Sequence, residues 1–82
     1  MAATREDIKE WFEKGVEIQA THMVVMVDTF DWDDYPVYIM PGQDPRYEVS
    51  VRNGNNMQNV MEVYNLAKPM QAQLDERRNF NY

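Results

Sequence analysis

The sequence predicts an α+β fold, a small antiparallel sheet (a β-hairpin plus a possible third strand) packed by two or three helices. Three observations predict it. Ile8, Trp11, Phe12 and Val16 recur at helical spacing near the start. "THMVVMVDTF", residues 21 to 30, then turns to β-branched and apolar types. "DYPVYIM", residues 34 to 40, repeats that character after the short acidic connection "DWDD".

The first element is a helix from about Thr4 to Gln19. Thr4 is its N-cap, and Asp7 three residues on completes a capping-box pattern. Glu10 and Lys14 form an i,i+4 pair on the outer face. Gly15 weakens this helix and marks close packing against a neighbour.

In the strand 21–30 both parities are apolar. Val24, Met26 and Phe30 fall on one, Met23, Val25 and Val27 on the other. Such a strand is covered on both faces, by helices or by another subunit. Pro36 has no N–H to give a ladder, so the strand 34–40 lies at an edge or pairs on one side only. The two strands form an antiparallel hairpin.

Residues 45–52 read two ways. Asp44 and Pro45 suit an N-cap and first helical position, with Gly54 as C-cap. Tyr47, Val49 and Val51 instead alternate, and weak helix formers tip the expectation towards a third strand. Asn56 is then expected to cap a helix from Met57 to about Leu66, with Met57, Val60, Met61 and Tyr64 at i, i+3, i+4 and i+7. Pro69 interrupts it, and one more short helix follows with Met70 and Leu74 inward.

Eighty-two residues make one small domain, 1–82. A chain of this size buries roughly 60% of its unfolded surface, and no cysteine staples it. Association into a homo-oligomer is the usual remedy. No run reaches the length of a membrane span, and the charged N-terminus lacks an apolar signal core, so a cytoplasmic location is expected. Fourteen acidic against eight basic residues, net −6, disfavour binding to duplex nucleic acid or an anionic membrane surface.

"DTFDWDDYPVY", residues 28 to 38, places four aspartates and four rings in one short stretch. Read as a calcium loop from Asp31, it has Tyr35, Pro36 and Gly42 where a ligand, glycine and glutamate belong. One histidine and no thiol build no closed zinc site. No metal or cofactor is expected. The aspartates suit a turn, since their side chains bond nearby amides. Trp32 beside them is either folded back on the core or an exposed contact anchor. His22 has no recognisable nucleophile or orienting partner, and reads as a satisfied or exposed strand residue. No spacing singles out catalytic carboxylates, so the expectation is a non-enzyme.

"RNGNNM", residues 52 to 57, is a glycine turn that runs into the expected helix. Free amides there, with Arg52 and the asparagines, would seat phosphate or carboxylate; an ordinary capped turn is the simpler reading. Rings at Trp32, Tyr35 and Tyr38 could stack a base. Arg46, Arg52, Asn53, Gly54, Asn55 and Asn56 could hold its phosphate.

"ATHMVVMVDTFDWDDYPVYI" and "NMQNVMEVYNL" together resemble a group of small accessory proteins of tailed bacteriophages, over most of the chain from Ile8 to Leu66. The resemblance implies action by binding in the host cytoplasm, antagonising host defence. Two expectations follow. The protein sequesters a nucleotide-derived immune signal in a pocket, or its acidic, aromatic face blocks a host defence protein.

Overall fold

The computed structural model describes residues 4–54, 57–76 and 80–82. Its elements run α1 (Arg5–Glu17), β1 (His22–Asp28), β2 (Asp34–Ile39), α2 (Pro45–Arg52), β3 (Gln58–Asn65) and α3 (Met70–Leu74). The three strands form one antiparallel sheet in the order β2-β1-β3. This is the small α+β fold the sequence predicts.

The capping box starts α1. Thr4 Oγ1 accepts from Asp7 N and Asp7 Oδ2 accepts from Thr4 N, both at 3.1 Å. Ile8 and Phe12 turn inward and meet Met23, Val25, Tyr64 and Leu74 on one face of the sheet. The Phe12 and Tyr64 rings meet edge to face, their centroids 6.3 Å apart. Val24, Met26, Ile39, Val49 and Val63 make a second cluster on the other face, with Tyr35, Val37, Val60 and Tyr82 packed around it. Six consecutive residues of β1, His22 to Val27, are therefore buried, and helices cover the strand from both sides. β2, with Pro36, lies at the sheet edge.

Residues 45–52, expected as a strand, are helix α2. Asp44 Oδ1 accepts from Arg46 N at 3.0 Å, and Pro45 supplies a preset first turn. The Tyr47–Val49–Val51 alternation has no buried face behind it, since Val49 alone is buried. The Asp44 cap and a single inward position suit a helix here.

Residues 57–66, expected as a helix, hold strand β3. Asn56, its expected cap, lies outside the described residues. The misleading feature is a β-bulge. Val25 pairs with Glu62 but Met26 pairs with Val60, which leaves Met61 as an extra residue. The bulge resets the alternation, so Val60 and Val63 share a face although they are three positions apart. A spacing of three on one face is a helical signature in any sequence.

Gln73, buried in α3, joins that helix to the end of β3. Its Oε1 accepts from Asn65 N at 2.8 Å, and its Nε2 donates to Asn65 O at 2.9 Å and to Pro69 O at 3.1 Å. The side chain does the work of a strand neighbour for one residue. A Gln73→Ala variant strands those groups, each costing about 1–3 kcal/mol when buried. Chemical denaturation should show a loss of about 2 kcal/mol or more with an unchanged m value.

At Gly15 α1 sits tight against Tyr38 of β2 and Leu66 just past β3. A Cβ there would stand 2.7 Å from Leu66 Cδ1 and 3.0 Å from Tyr38 Cε1. The Tyr38 ring cannot step aside freely, because its hydroxyl donates to Trp11 O at 2.9 Å. Alanine gains about 1 kcal/mol of helix propensity, but overpacking costs about 1–3 kcal/mol. Gly15→Ala should therefore lower the melting temperature, where the same change in an open helix raises it.

Candidate functional site

The β1–β2 connection is tied by its own aspartates. Asp28 Oδ1 accepts from Phe30 N at 2.8 Å, and Asp31 Oδ1 accepts from Asp33 N at 3.2 Å. The backbone closes with Trp32 N donating to Asp28 O at 2.7 Å and Asp28 N donating to Asp33 O at 2.9 Å. The carboxylates act as turn formers here. Among the described residues no group of three or more His, Asp or Glu side chains is placed to hold a metal ion.

This closure puts Trp32 at φ 62°, the left-handed region, where a bulky side chain is costly. The indole is not folded onto the core: Trp32 is 64% exposed and Phe30 77%. Thr29 N donates to Met57 O at 2.7 Å, which brings Met57, also exposed and also at positive φ, to the same end of the sheet. Three large apolar side chains and the aspartates at 28, 31, 33 and 34 thus share one tip. Phe30 and Met57 were assigned to a strand and a helix by their apolar character; only the early end of β1 at Asp28 and the true course of β3 reveal them as tip residues.

The other ring and phosphate-seat candidates do not join Trp32. Tyr35 packs on the α2 side, and its hydroxyl donates to Gln58 Oε1. Tyr38 packs on the α1 side. Arg46 lies over the Tyr82 ring, 4.3 Å from its centroid, and Arg52 Nη2 meets Glu48 Oε1 at 3.4 Å within α2. Asn53 Oδ1 accepts from Val60 N at 3.1 Å, and Gly54 N donates to Gln58 O at 2.8 Å. Asn55 and Asn56 lie outside the described residues. The turn leaves the C-terminus of α2 and feeds a strand, so no helix N-terminus stands behind it, and the Gly54 amide is already used. Gly54 itself, at φ 81°, serves the turn.

Two further polar groups lie in the interior. Glu62, buried on the α1 face, accepts from the Tyr64 hydroxyl at 2.9 Å and meets Arg5 Nη1 at 3.5 Å; Arg5 Nη1 also donates to the Tyr64 oxygen at 3.0 Å. Burial first, then Glu62, pushes the Tyr64 phenol well above its ordinary value, and Arg5 opposes the shift. The Tyr64 hydroxyl donates within β3 to Glu62, and its oxygen, accepting from Arg5, ties β3 to the start of α1. His22, buried at the opposite end of β1 from the tip, has Nδ1 2.9 Å from Thr21 Oγ1, while its Nε2 has no partner among the described residues. The sequence carried no signal for that half-satisfied ring.

Comparison with family models, curated proteins and solved structures finds no match.

Burial, and secondarily the Lys68 charge, holds the His22 imidazole below its ordinary value of 6.5. The unfolded chain then takes up a proton at higher pH than the folded one. The His22 contribution to stability is full above about pH 6.5 and is lost as pH falls below it. The drop in urea midpoint between about pH 7 and about pH 5 should be smaller in His22→Gln than in the wild type. An equal drop would assign the dependence to carboxylates alone.

Proposed function

We propose that the protein is a non-enzymatic binding module whose acidic, aromatic hairpin tip docks on a basic surface of a partner protein. The carrying observation is the exposed, conformationally strained Trp32 beside the still more exposed Phe30 within a cluster of aspartates. Exposed aromatic side chains serve as contact anchors, and surrounding charge sets orientation and encounter rate. Strain of this kind persists where the surrounding structure over-determines it, here through four hydrogen bonds in the turn. The resemblance to phage accessory proteins supports a host defence protein as the partner. Sequestration of a nucleotide-derived signal has weaker support, because its three rings lie apart, Trp32 at the tip, Tyr35 on the α2 side and Tyr38 on the α1 side.

Trp32→Gly tests the proposal with little risk to the fold, since glycine accepts positive φ without strain. Affinity capture from host lysate should be reduced at least about tenfold by Trp32→Gly and by Phe30→Ser, the order expected for losing an interface anchor. Capture by the wild type should also weaken as salt rises. Undiminished capture by both variants would remove the tip from the interface.

A further inference from the structure

The two outer edges of the sheet are treated differently. On β3 the outward groups are taken by the chain's own returns. Gln58 O accepts from Gly54 N at 2.8 Å, Val60 N donates to Asn53 Oδ1 at 3.1 Å, and Val63 O accepts from Asn81 N at 2.9 Å. Gln73 closes the far end on both backbone groups of Asn65. Among the described residues nothing comparable runs along β2.

Which β2 groups face outward follows from the ladder. Asp28 N donates to Asp33 O, so exchanging pairs recur at every second residue: Met26–Tyr35, Val24–Val37 and His22–Ile39. Val25–Pro36 and Met23–Tyr38 are then the non-exchanging pairs, and their β2 members turn amide and carbonyl away from β1. Pro36 agrees, since only at such a position does a missing N–H leave the β1 ladder whole. Tyr38 N, Tyr38 O and Pro36 O take no partner among the described residues; the bond from Tyr38 to Trp11 O comes from its hydroxyl. Just past the strand, Met40 is already closed. Its N donates to Gln43 Oε1 at 2.8 Å, and its O accepts from Gln43 N at 3.1 Å.

A bare edge invites an added strand, and proline deters most of them, because it leaves a carbonyl of the newcomer without a donor. One newcomer avoids that loss. When β2 of a second copy pairs across a two-fold axis at Tyr38, each Tyr38 N donates to the other Tyr38 O, and Pro36 stands opposite Met40. The Met40 carbonyl already has its donor in Gln43, so the missing N–H strands nothing. We propose that the β2 edge is a self-association surface, through which two copies join their three-stranded sheets into one continuous antiparallel sheet. Val37 and Ile39 of the two copies become cross-strand neighbours on the α2 face, and exposed Met40 covers Pro36 on the other. β2 suits this role. It carries no lysine or arginine, its single charge, Asp34, lies at the tip end, and all of it except Ile39 is only half-buried. Two-fold symmetry makes the paired edges antiparallel, so the acidic tips of two chains stand roughly 40 Å apart, several screening lengths. The contact is short, so a dissociation constant in the micromolar range is expected. The dimer forms whether or not the tip docks on a partner, and it carries one tip at each end.

The test is sedimentation equilibrium of the full chain between about 10 μM and about 1 mM, with amide hydrogen exchange at the same concentrations. Sedimentation should pass from monomer to dimer. Protection of the Tyr38 amide should rise with the dimer fraction, while Tyr35 and Val37, bonded to β1 in both states, stay constant. A mixed labelled and unlabelled sample should give an intermolecular Hα–Hα contact between Val37 and Ile39, the mark of a non-exchanging antiparallel pair. Met40→Asp, at an exposed position, sets a like charge diagonal to Asp34 of the other copy twice over, and should raise the dissociation constant about tenfold. A monomer throughout, a dimer with an unprotected Tyr38 amide, or undiminished pairing of Met40→Asp would each overturn the proposal.

Discussion

The fold depends on the double burial of β1. This strand pairs with β2 on one side and β3 on the other, and six of its seven residues are buried. A strand with both edges paired and both faces apolar must be covered twice, and a short chain has few ways to do it. α1 and α3 close one face. α2 and the Tyr82 end close the other. The close seating of Gly15 on Tyr38 and Leu66 and the Gln73 clamp on Asn65 both hold covering helices against this strand and its neighbours.

Because β1 is used up structurally, the surface it leaves open lies at its two ends. One end is acidic, aromatic and projecting, with a backbone held in an unfavourable region by local hydrogen bonds. The other is recessed and mostly aliphatic. The Arg5–Glu62–Tyr64 group lies on the α1 face, where its members satisfy one another and tie β3 to the first turn of α1.

Local chemistry was legible in the sequence wherever one residue type determines one outcome. The Thr4–Asp7 box, Pro36 at an edge, the two apolar parities of β1 and the crowding at Gly15 all follow from the residues alone. Residues 45–52 were ambiguous because propensity and capping pointed in opposite directions, and the segment follows its cap, with Val49 alone turned inward. Residues 57–66 misled through periodicity, since spacing measures angle only if the backbone is regular. The ring and amide candidates were close in sequence, but strand alternation separates Tyr35 from Tyr38, and the turn at Gly54 spends its amide on Gln58. Nearness along the chain says little about convergence when a sheet lies between.

The extra residue at Met61 also bears on how kinship to this fold could be traced. A related chain without it would alternate strictly through the same strand, and a gap-free alignment would place the two out of phase on one side of position 61. Every inward residue beyond that point would then be matched with an outward one, and true similarity would score as noise. A one-residue insertion or deletion tolerated at this site, and penalised elsewhere in β3, restores the correspondence of both faces.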